Sequence, residues 1–487
     1  MMREDWEEIL YQDAVYKIST SKQKLKQKEY SPFGEFPVVD QGQDKIGGYS
    51  DDKARILDCN LPVVVFGDHT KCVKLINFKF IPGADGTKVL EPKQGIEPKY
   101  ISTLTHVLVH KIKDKGYARH YQHIEKENLP LAPLPEQRAI VAKIEELFSS
   151  LDQGIHDLKK AQEQLKVYRQ AVLKKAFEGE LTKEWRKQQT DLHTADELLE
   201  QIKVERQKHY EQQLENWKQA LKNWEEKGKE GKKPGKPKEF KLLPELSKEE
   251  LDEIANLPNG WKWLKNENYL FEVKDGTHDT PKYQDTGIPF VTQKNIKNNS
   301  ISFSDIKYIS EADHNKFFKR SNVQKGDIII AMIGHGRGNS CIVDTEKVFS
   351  IKNVGLFKFF NEIHINRYCL HYYQSTLGLN LALKKSKGGA QPFIGLTELR
   401  NWPIPVCSPK EQHQIVQEIE SRLSVCDKVE QSITESLEKA KALRQSILKK
   451  AFEGTLLSAE EIAACKAAAD YEPASVLLER IKKEKKK

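Results

Sequence analysis

Arg, Lys, His, Asn and Gln gather around glycine in six short stretches of this 487-residue chain. Three lie early: Gly67-Asp68-His69-Thr70-Lys71, Gly86-Thr87-Lys88 and Gly116-Tyr117-Ala118-Arg119-His120-Tyr121. Three lie in the second half: Gln293-Lys294-Asn295, His335-Gly336-Arg337-Gly338-Asn339 and Lys385-Ser386-Lys387-Gly388-Gly389-Ala390-Gln391. These side chains match the donors and acceptors on base edges, and glycine lets a backbone amide approach a phosphate. The candidate contact residues are therefore His69, Lys71, Lys88, Tyr117, Arg119, His120 and Tyr121, then Lys294, Asn295, His335, Arg337, Lys387 and Gln391. Any one stretch reads equally well as an ordinary polar loop. Their recurrence in both halves is what points to an anionic, patterned ligand.

Catalytic patterns are missing where they would be sought. There is no G-x-x-x-x-G-K-[ST], since Gly235-Lys236 is followed by proline and lacks the earlier glycine. Gly334 to Gly338 has neither dinucleotide-binding spacing nor a βαβ setting, so it reads as a tight turn presenting His335 and Arg337. His106/His110 and His120/His123 are spaced for one helix face, but no Cys, Asp or Glu completes a metal set. Neither G-x-S-x-G nor an adenine-methyltransferase D/N-P-P-Y/F occurs.

Those loops need elements to hold them, and the chain shows these by repetition. Glu136 to Leu181 returns as Glu411 to Leu456 at a constant spacing of 275 residues, with Leu173 to Gly179 identical to Leu448 to Gly454. The first copy places Ile140, Ile144, Leu147, Leu151, Gly154, Leu158, Ala161, Leu165, Tyr168 and Val172 on a seam of alternating four- and three-residue steps. The second places Ile415, Ile419, Cys426, Val429, Ile433, Ala440, Leu443 and Ile447 there, interrupted by Arg422 and Ser436. Two equal seams in one chain most simply bury each other. Gly179 and Gly454 stand where each helix would end in a left-handed cap.

Proline-rich steps, Leu129 to Pro135 and Trp402 to Pro405, stop the segment before each helix. In the first segment, 36–39, 61–66 and 87–90 read as strands and 101–112 as a short buried helix. In the second, 288–291, 327–332 and 354–359 read as strands. Two landmarks correspond, Phe36 to Val39 with Ile288 to Val291 and Pro62 to Gly67 with Asp327 to Gly334; otherwise the two segments read as different domains. Leu198-Leu199-Glu200-Gln201-Ile202-Lys203 returns as Leu477-Leu478-Glu479-Arg480-Ile481-Lys482, so the repeat outlasts the long helix. Between them, Tyr210, Leu214, Trp217, Leu221 and Trp224 form a further helical stripe, and Lys227 to Lys241 reads as a flexible, solvated linker, with non-specific phosphate contact as the alternative.

The expected architecture is α+β, with two domains of mixed short-strand sheet plus helices. Two long helices separate them, packed as an antiparallel coiled coil with pseudo-twofold symmetry. The expected divisions are 1–134, first variable domain; 135–181, first long helix; 182–256, helical extension and Lys-rich linker; 257–408, second variable domain; 409–456, second long helix; and 457–487, helical tail. A net charge of +8 permits an anionic partner without demonstrating one. The seven cysteines form no C-x-x-C pair, the N-terminus lacks an apolar signal-like segment, and no apolar run approaches membrane-spanning length. A soluble, cytoplasmic protein with reduced thiols is expected.

With these residues in view, the sequence resembles the specificity subunit of type I restriction-modification systems over essentially its whole length. The most specific matches are Pro130 to Gln137 (PLAPLPEQ) and Pro403 to Gln412 (PIPVCSPKEQ), each leading into a helix ending Leu-Lys-Lys-Ala-Phe-Glu-Gly. Gly116 to Tyr121 and Gly388 to Ile394 look like the ends of that family's target-recognition domains, and Leu257-Pro258-Asn259-Gly260-Trp261 like the start of one. The first domain departs from the pattern, having only Asp5-Trp6-Glu7-Glu8 and no Pro-x-Gly-Trp. The resemblance implies two domains that each read half of a bipartite, asymmetric double-stranded DNA site. It implies two methyltransferase subunits and two restriction/translocase subunits as partners, and no membrane. No catalytic residue and no metal site belong to this chain in that reading; S-adenosylmethionine, ATP and Mg2+ would bind the partners. Two other classes compete: a self-contained methyltransferase or nuclease, distinguished by activity of the purified chain alone, and a coiled-coil scaffold with no DNA role, distinguished by competition binding at defined salt.

Overall fold

The computed structural model describes residues 3–112, 119–297, 299–334, 336–360, 363–384 and 393–484. The chain forms two units, one of residues 1–160 with 433–487 and the other of residues 161–432. The divisions fall inside the long helices Leu134–Phe177 and Pro409–Glu453, so each unit owns the beginning of one helix and the end of the other.

In the first unit the two helix segments run antiparallel. Ile140, Val141 and Ile144 share a core with Ile447 and Ala451, Arg444 pairs with Asp152, and the Arg444 guanidinium lies 4.3 Å over the Phe148 ring. In the second unit Val172, Leu173, Ala176 and Phe177 pack with Ile415, Val416 and Ile419. There Arg169 bridges Asp427 at 2.7 Å and Glu430 at 2.9 Å. On the second stripe Ile415, Ile419, Cys426, Ile433, Ala440 and Ile447 are buried, as are Ile140, Ile144 and Val172 on the first, whereas Tyr168, Val429 and Leu443 are exposed, contrary to the expected stripe. Two helices in contact cover a narrow strip of each other, so one position per heptad (Cys426, Ile433, Ala440, Ile447) stays buried while the alternate positions Val429 and Leu443 open to solvent.

Each domain is built on two small sheets of the same plan. In the first unit a four-stranded antiparallel sheet runs in the order Val15–Ile18, Thr87–Pro92, Val63–Gly67, Val73–Ile76. The second unit repeats that order with Glu272–Asp275, Val354–Lys358, Ile328–Ala331, Ser340–Ile342. Beside it sits a three-stranded sheet whose central strand, Phe36–Val39 or Ile288–Thr292, has one antiparallel and one parallel neighbour. The expectation that the domains differ is thus corrected. Their strand order is shared, and what differs is the loops, the side chains and an added helix, Glu311–Ser321, in the second domain. Hydrophobic alternation fixes a strand's buried face whatever its identities, so unlike sequences form the same sheet.

A second correction concerns the start of the first domain. Trp6 donates its indole N–H to Glu136 at 3.0 Å, and Trp261 donates to Glu411 at 2.9 Å. Trp6 therefore supplies what the missing Pro-x-Gly-Trp supplies elsewhere. Strands Glu7–Leu10 and Lys262–Lys265 follow the tryptophans and pair with Asn128–Leu131 and Pro403–Val406, the proline-rich steps. Because those prolines lack an N–H, they tolerate only a short two-stranded ladder.

Both Gly179 and Gly454 have left-handed backbones, φ +75° and +78°. A Cβ on Gly454 would strike Arg3 and Trp6, and one on Gly179 would strike Pro258, so each helix end lies against the start of a domain. Leu198, Leu199 and Ile202 enter the core of the second unit, as Leu477, Leu478 and Ile481 enter that of the first. Among the described residues no helix is long and apolar enough to cross a membrane.

Candidate nucleic-acid interface

In the first domain, strand pairing brings the donor-rich loops together. Gly67 pairs with Thr87, which sets the loop 67–71 beside the turn leading into Lys88. Asp68 then ties in the third stretch. Its carboxylate accepts from the Tyr121 amide at 2.9 Å and lies 3.3 Å from Lys88 Nζ, while its carbonyl accepts from the His120 amide at 2.9 Å. His69 and Lys71 are half-buried on this loop, Lys71 with a left-handed φ of +60°, and Arg119 is exposed at its rim.

His120 and Tyr121 are buried, and Tyr121 packs against Tyr11 and Phe66 with Lys17 Nζ 4.9 Å above its ring. Burial pushes the Tyr121 hydroxyl well above its ordinary value. His120 Nε2 finds no hydrogen-bond partner among the described residues. These two side chains hold the rim; Lys71, Lys88 and Arg119 furnish its charge. Tyr117 lies outside the described residues.

The same corner recurs in the second domain with other residues. Ala331 pairs with Val354, and the carbonyl of Met332 accepts from the Ile394 amide at 2.8 Å, as Asp68 accepts from His120. The turn after Met332 carries Arg337, half-buried, with Nη1 donating to Gly334 at 3.0 Å and Nε unpartnered among the described residues. His335, Lys387 and Gln391 fall outside the described residues. Lys294 is exposed at the end of the central strand of the smaller sheet. Asn295 is buried and used locally: its Oδ1 accepts from the Thr292 amide at 2.9 Å and its Nδ2 donates to Ser302 at 3.2 Å.

Gln41 escaped the sequence reading, and Gln293, named within its donor-rich stretch, was not among the candidate contacts. The two occupy the same place, two residues beyond the strand landmarks Val39 and Val291 in matching register. Gln41 accepts from the His69 amide at 3.2 Å, donates to Asp85 at 2.9 Å, and its carbonyl accepts from Thr70 at 2.6 Å. It therefore braces the loop 67–71 against the turn before Lys88. Gln293 Oε1 is buried without a partner among the described residues. The signal was present, since the matched strands both run on to glutamine two positions later.

Beneath both corners lies the junction of domain and helix, which explains the repeated Glu-Gln doublet. Glu136 and Glu411 are nearly inaccessible, and each meets a guanidinium as well as the indole. Arg3 Nη2 lies 2.7 Å from Glu136 with its guanidinium 5.3 Å over Trp6; Arg186 Nε lies 2.7 Å from Glu411 with its guanidinium 5.5 Å over Trp261. The next residue points back. Gln137 donates to Ala132 at 2.7 Å and Gln412 to Cys407 at 2.8 Å, closing the step between strand and helix. Among the described residues no cluster of His, Cys, Asp or Glu suits a metal ion.

Comparison with known proteins follows the same lines. Residues 250–439 match the family model for the type I restriction modification DNA specificity domain. The chain is 25% identical over 357 residues to the type I restriction enzyme EcoBI specificity subunit of Escherichia coli, covering 73% of this chain and 64% of that protein, just under two thirds of its length. It is 21% identical over 488 residues to the EcoDI specificity subunit of Escherichia coli, covering 99% of this chain and 95% of that one. Among solved structures, a chain from work on complex assembly and conformational transition of the type I R-M system superposes with TM-score 0.61 at 16% identity, over 94% of this chain and 100% of that one. The HsdS subunit from Thermoanaerobacter tengcongensis gives 0.52 at 16% identity, over 93% and 98%. At such identities the structural likeness speaks for the fold.

Proposed function

We propose that the chain is a type I restriction-modification DNA specificity subunit, as the match of residues 250–439 to that family's model supports, and that its two units read the two halves of a split, asymmetric duplex site. As a specificity subunit it is non-catalytic, and its part is recognition of DNA sequence. The observation that carries the bipartite reading is the duplicated corner: one strand order and one docking of loops, with Asp68, Lys71, Lys88 and Arg119 in one unit and Met332, Arg337 and Lys294 in the other. A shared scaffold with different edge-reading side chains reads two different sequences.

The remaining assignments follow the premise. Double-stranded DNA is the ligand. Two methyltransferase subunits and two restriction/translocase subunits are the partners, and the repeated helices offer the former equivalent docking surfaces. S-adenosylmethionine, ATP and Mg2+ belong to those partners, and the cytoplasm is the compartment. The helices also fix the unread spacer between the half-sites, so removing one heptad from both would shorten it.

The test is to coexpress the chain with its partner methylase and map methylated adenines. A split motif of two dissimilar halves is expected. A continuous or palindromic motif overturns the reading.

A further inference from the structure

The tract between the repeats, which reads from sequence as extension and linker, has a structure of its own. Helix Ala195–Glu226 opens with a capping box at Thr194 and Glu197 and starts on the second domain, where the Ala195 amide donates to Gly260. Arg206, almost fully buried, donates to the carbonyls of Glu267 and Leu270, and burial pushes its pKa down to about 10. His209 sets its ring 4.9 Å from that of Phe271. Beyond His209, the hydrogen bonds and ring contacts of the helix among the described residues go to itself or to the segment after it. At 1.5 Å per residue those last turns extend about 25 Å.

Lys227 to Lys241 turns back along this projection as a strap, which corrects the flexible-loop expectation. Trp217 donates to Pro234 at 3.1 Å and Trp224 to Gly231 at 3.3 Å. Phe240 stacks 3.6 Å under the Arg206 guanidinium, and Leu243 exchanges two hydrogen bonds with Asn268, at 2.8 and 3.0 Å. The Trp stripe read from the sequence is what the strap lies on.

The charges on the two strands of this device differ. On the helix, Lys203, Lys208, Lys218 and Lys222 each have a glutamate partner three or four residues away. The strap carries seven lysines against two glutamates, a net +5 in a chain whose total is +8. None of the seven has a carboxylate partner among the described residues; Lys233 lies 6.0 Å over the Trp224 ring. The helix carries eight acidic residues against five basic ones, so its lysines are compensated and it is net acidic, whereas the strap is a pinned, unbalanced comb of ammonium groups.

We propose that the strap 227–241 is a second, sequence-independent contact to the phosphate backbone of duplex DNA flanking the half-site read by the second domain. This rests on the DNA-recognition reading and extends it. The helix, whose lysines are compensated by glutamates, serves as a rigid arm and leaves phosphate contact to the strap, whose ammonium groups without a carboxylate partner displace counterions from phosphates. Pinning by Trp217, Trp224 and Arg206 removes part of the ordering entropy that a free loop would lose on binding.

The experiment measures binding of the full chain to a duplex bearing the mapped site and to a scrambled duplex of about 40 base pairs over a range of salt. The variant combines Lys229→Gln, Lys232→Gln, Lys233→Gln and Lys236→Gln. Its slope of log affinity against log salt is expected to fall by about 0.9 for each phosphate no longer neutralised, hence by about 2 to 4, equally on both duplexes. The ratio of specific to scrambled affinity stays unchanged, and the same four positions changed to Arg restore the slope. A slope shifted by less than about half a unit overturns the proposal, including the case in which the variant instead loses an acidic protein partner. Failure of the unaltered chain to prefer its mapped site overturns the recognition reading instead, and is read separately from the slope.

Discussion

The two units reach the same buried anchor by different routes. In the second unit Arg186 follows the long helix within the chain and stacks on Trp261 from the domain that comes later. In the first unit the same guanidinium comes from Arg3, three residues before its own tryptophan. The carboxylates they meet, Glu136 and Glu411, stand in the repeat, whereas the arginines do not. What the fold holds constant is a buried carboxylate satisfied by an indole and a guanidinium, and the chain supplies the partners from wherever topology allows. The loops above those anchors are free to diverge because neither anchor uses them.

That comparison can be broken hardest at the carboxylates. Glu411→Ala leaves the Trp261 indole, Arg186 and the Thr182 hydroxyl, which donates at 2.8 Å, without their acceptor. Removing one member of a buried ion pair costs about 3–5 kcal/mol. Hydrogen exchange should show that loss in residues 161–432, and Glu136→Ala should show it in the first unit. The Glu136 effect should be the smaller, because Arg3 keeps a second carboxylate, Asp5 at 2.9 Å, whereas Arg186 keeps only neutral acceptors, the Gly179 carbonyl at 2.6 Å and the Thr182 hydroxyl at 3.3 Å.

Acid should separate the units next. His364 is buried in the second, its Nδ1 accepting from the Phe360 amide at 3.0 Å and its other nitrogen meeting the Tyr269 carbonyl at 2.6 Å. Burial pushes its pKa down to about 4. The unfolded chain then takes up the proton first, near pH 6.5. Stability from the neutral ring is complete above that value and falls as the pH drops from about 6.5 toward 4, by about 3 kcal/mol in all. Unfolding followed unit by unit through this range should show the loss in the second unit, and His364→Gln should flatten it.

The smallest effect compares the two helix caps. Gly179→Ala and Gly454→Ala each place a Cβ at positive φ, worth about 1 kcal/mol, and each adds a collision, with Pro258 or with Arg3 and Trp6. Thermal unfolding should show Gly179→Ala as the costlier, since its added Cβ would lie closer to the Pro258 ring than the 2.8 Å that would separate one on Gly454 from Arg3 Cβ.

Much of this was legible in the residues because it depends on periodicity and repetition. The long helices, their glycine caps, the strands at 36–39 and 63–67 and the returning Leu-Leu-x-x-Ile motif all announce themselves within a few turns of chain. The common strand order did not, because sheets are closed by residues far apart, such as Val64 with Leu90 and Ile328 with Phe357, and a buried strand asks only for apolar bulk. Trp6 was seen but not matched to Trp261, since the equivalence lies in a shared acceptor and not in flanking residues. At the candidate interface the loops were located and their roles were mixed. His120, Tyr121 and Asn295 are buried, while Gln41 was passed over, and Gln293 left out of the candidate contacts, because a glutamine after a strand carries no pattern of its own.

The central claim is that one corner of each unit reads one half of the target. The most direct measurement is the methylated motif produced by the chain with its methylase, compared with that of Lys71→Ala/Arg119→Ala and, separately, of Lys294→Ala/Arg337→Ala. Each pair should relax one half of the motif, a different half for each, by about 1–3 kcal/mol of discrimination for each base-reading side chain removed, with the other half and the spacer unchanged. Relaxation of both halves by either pair contradicts the account.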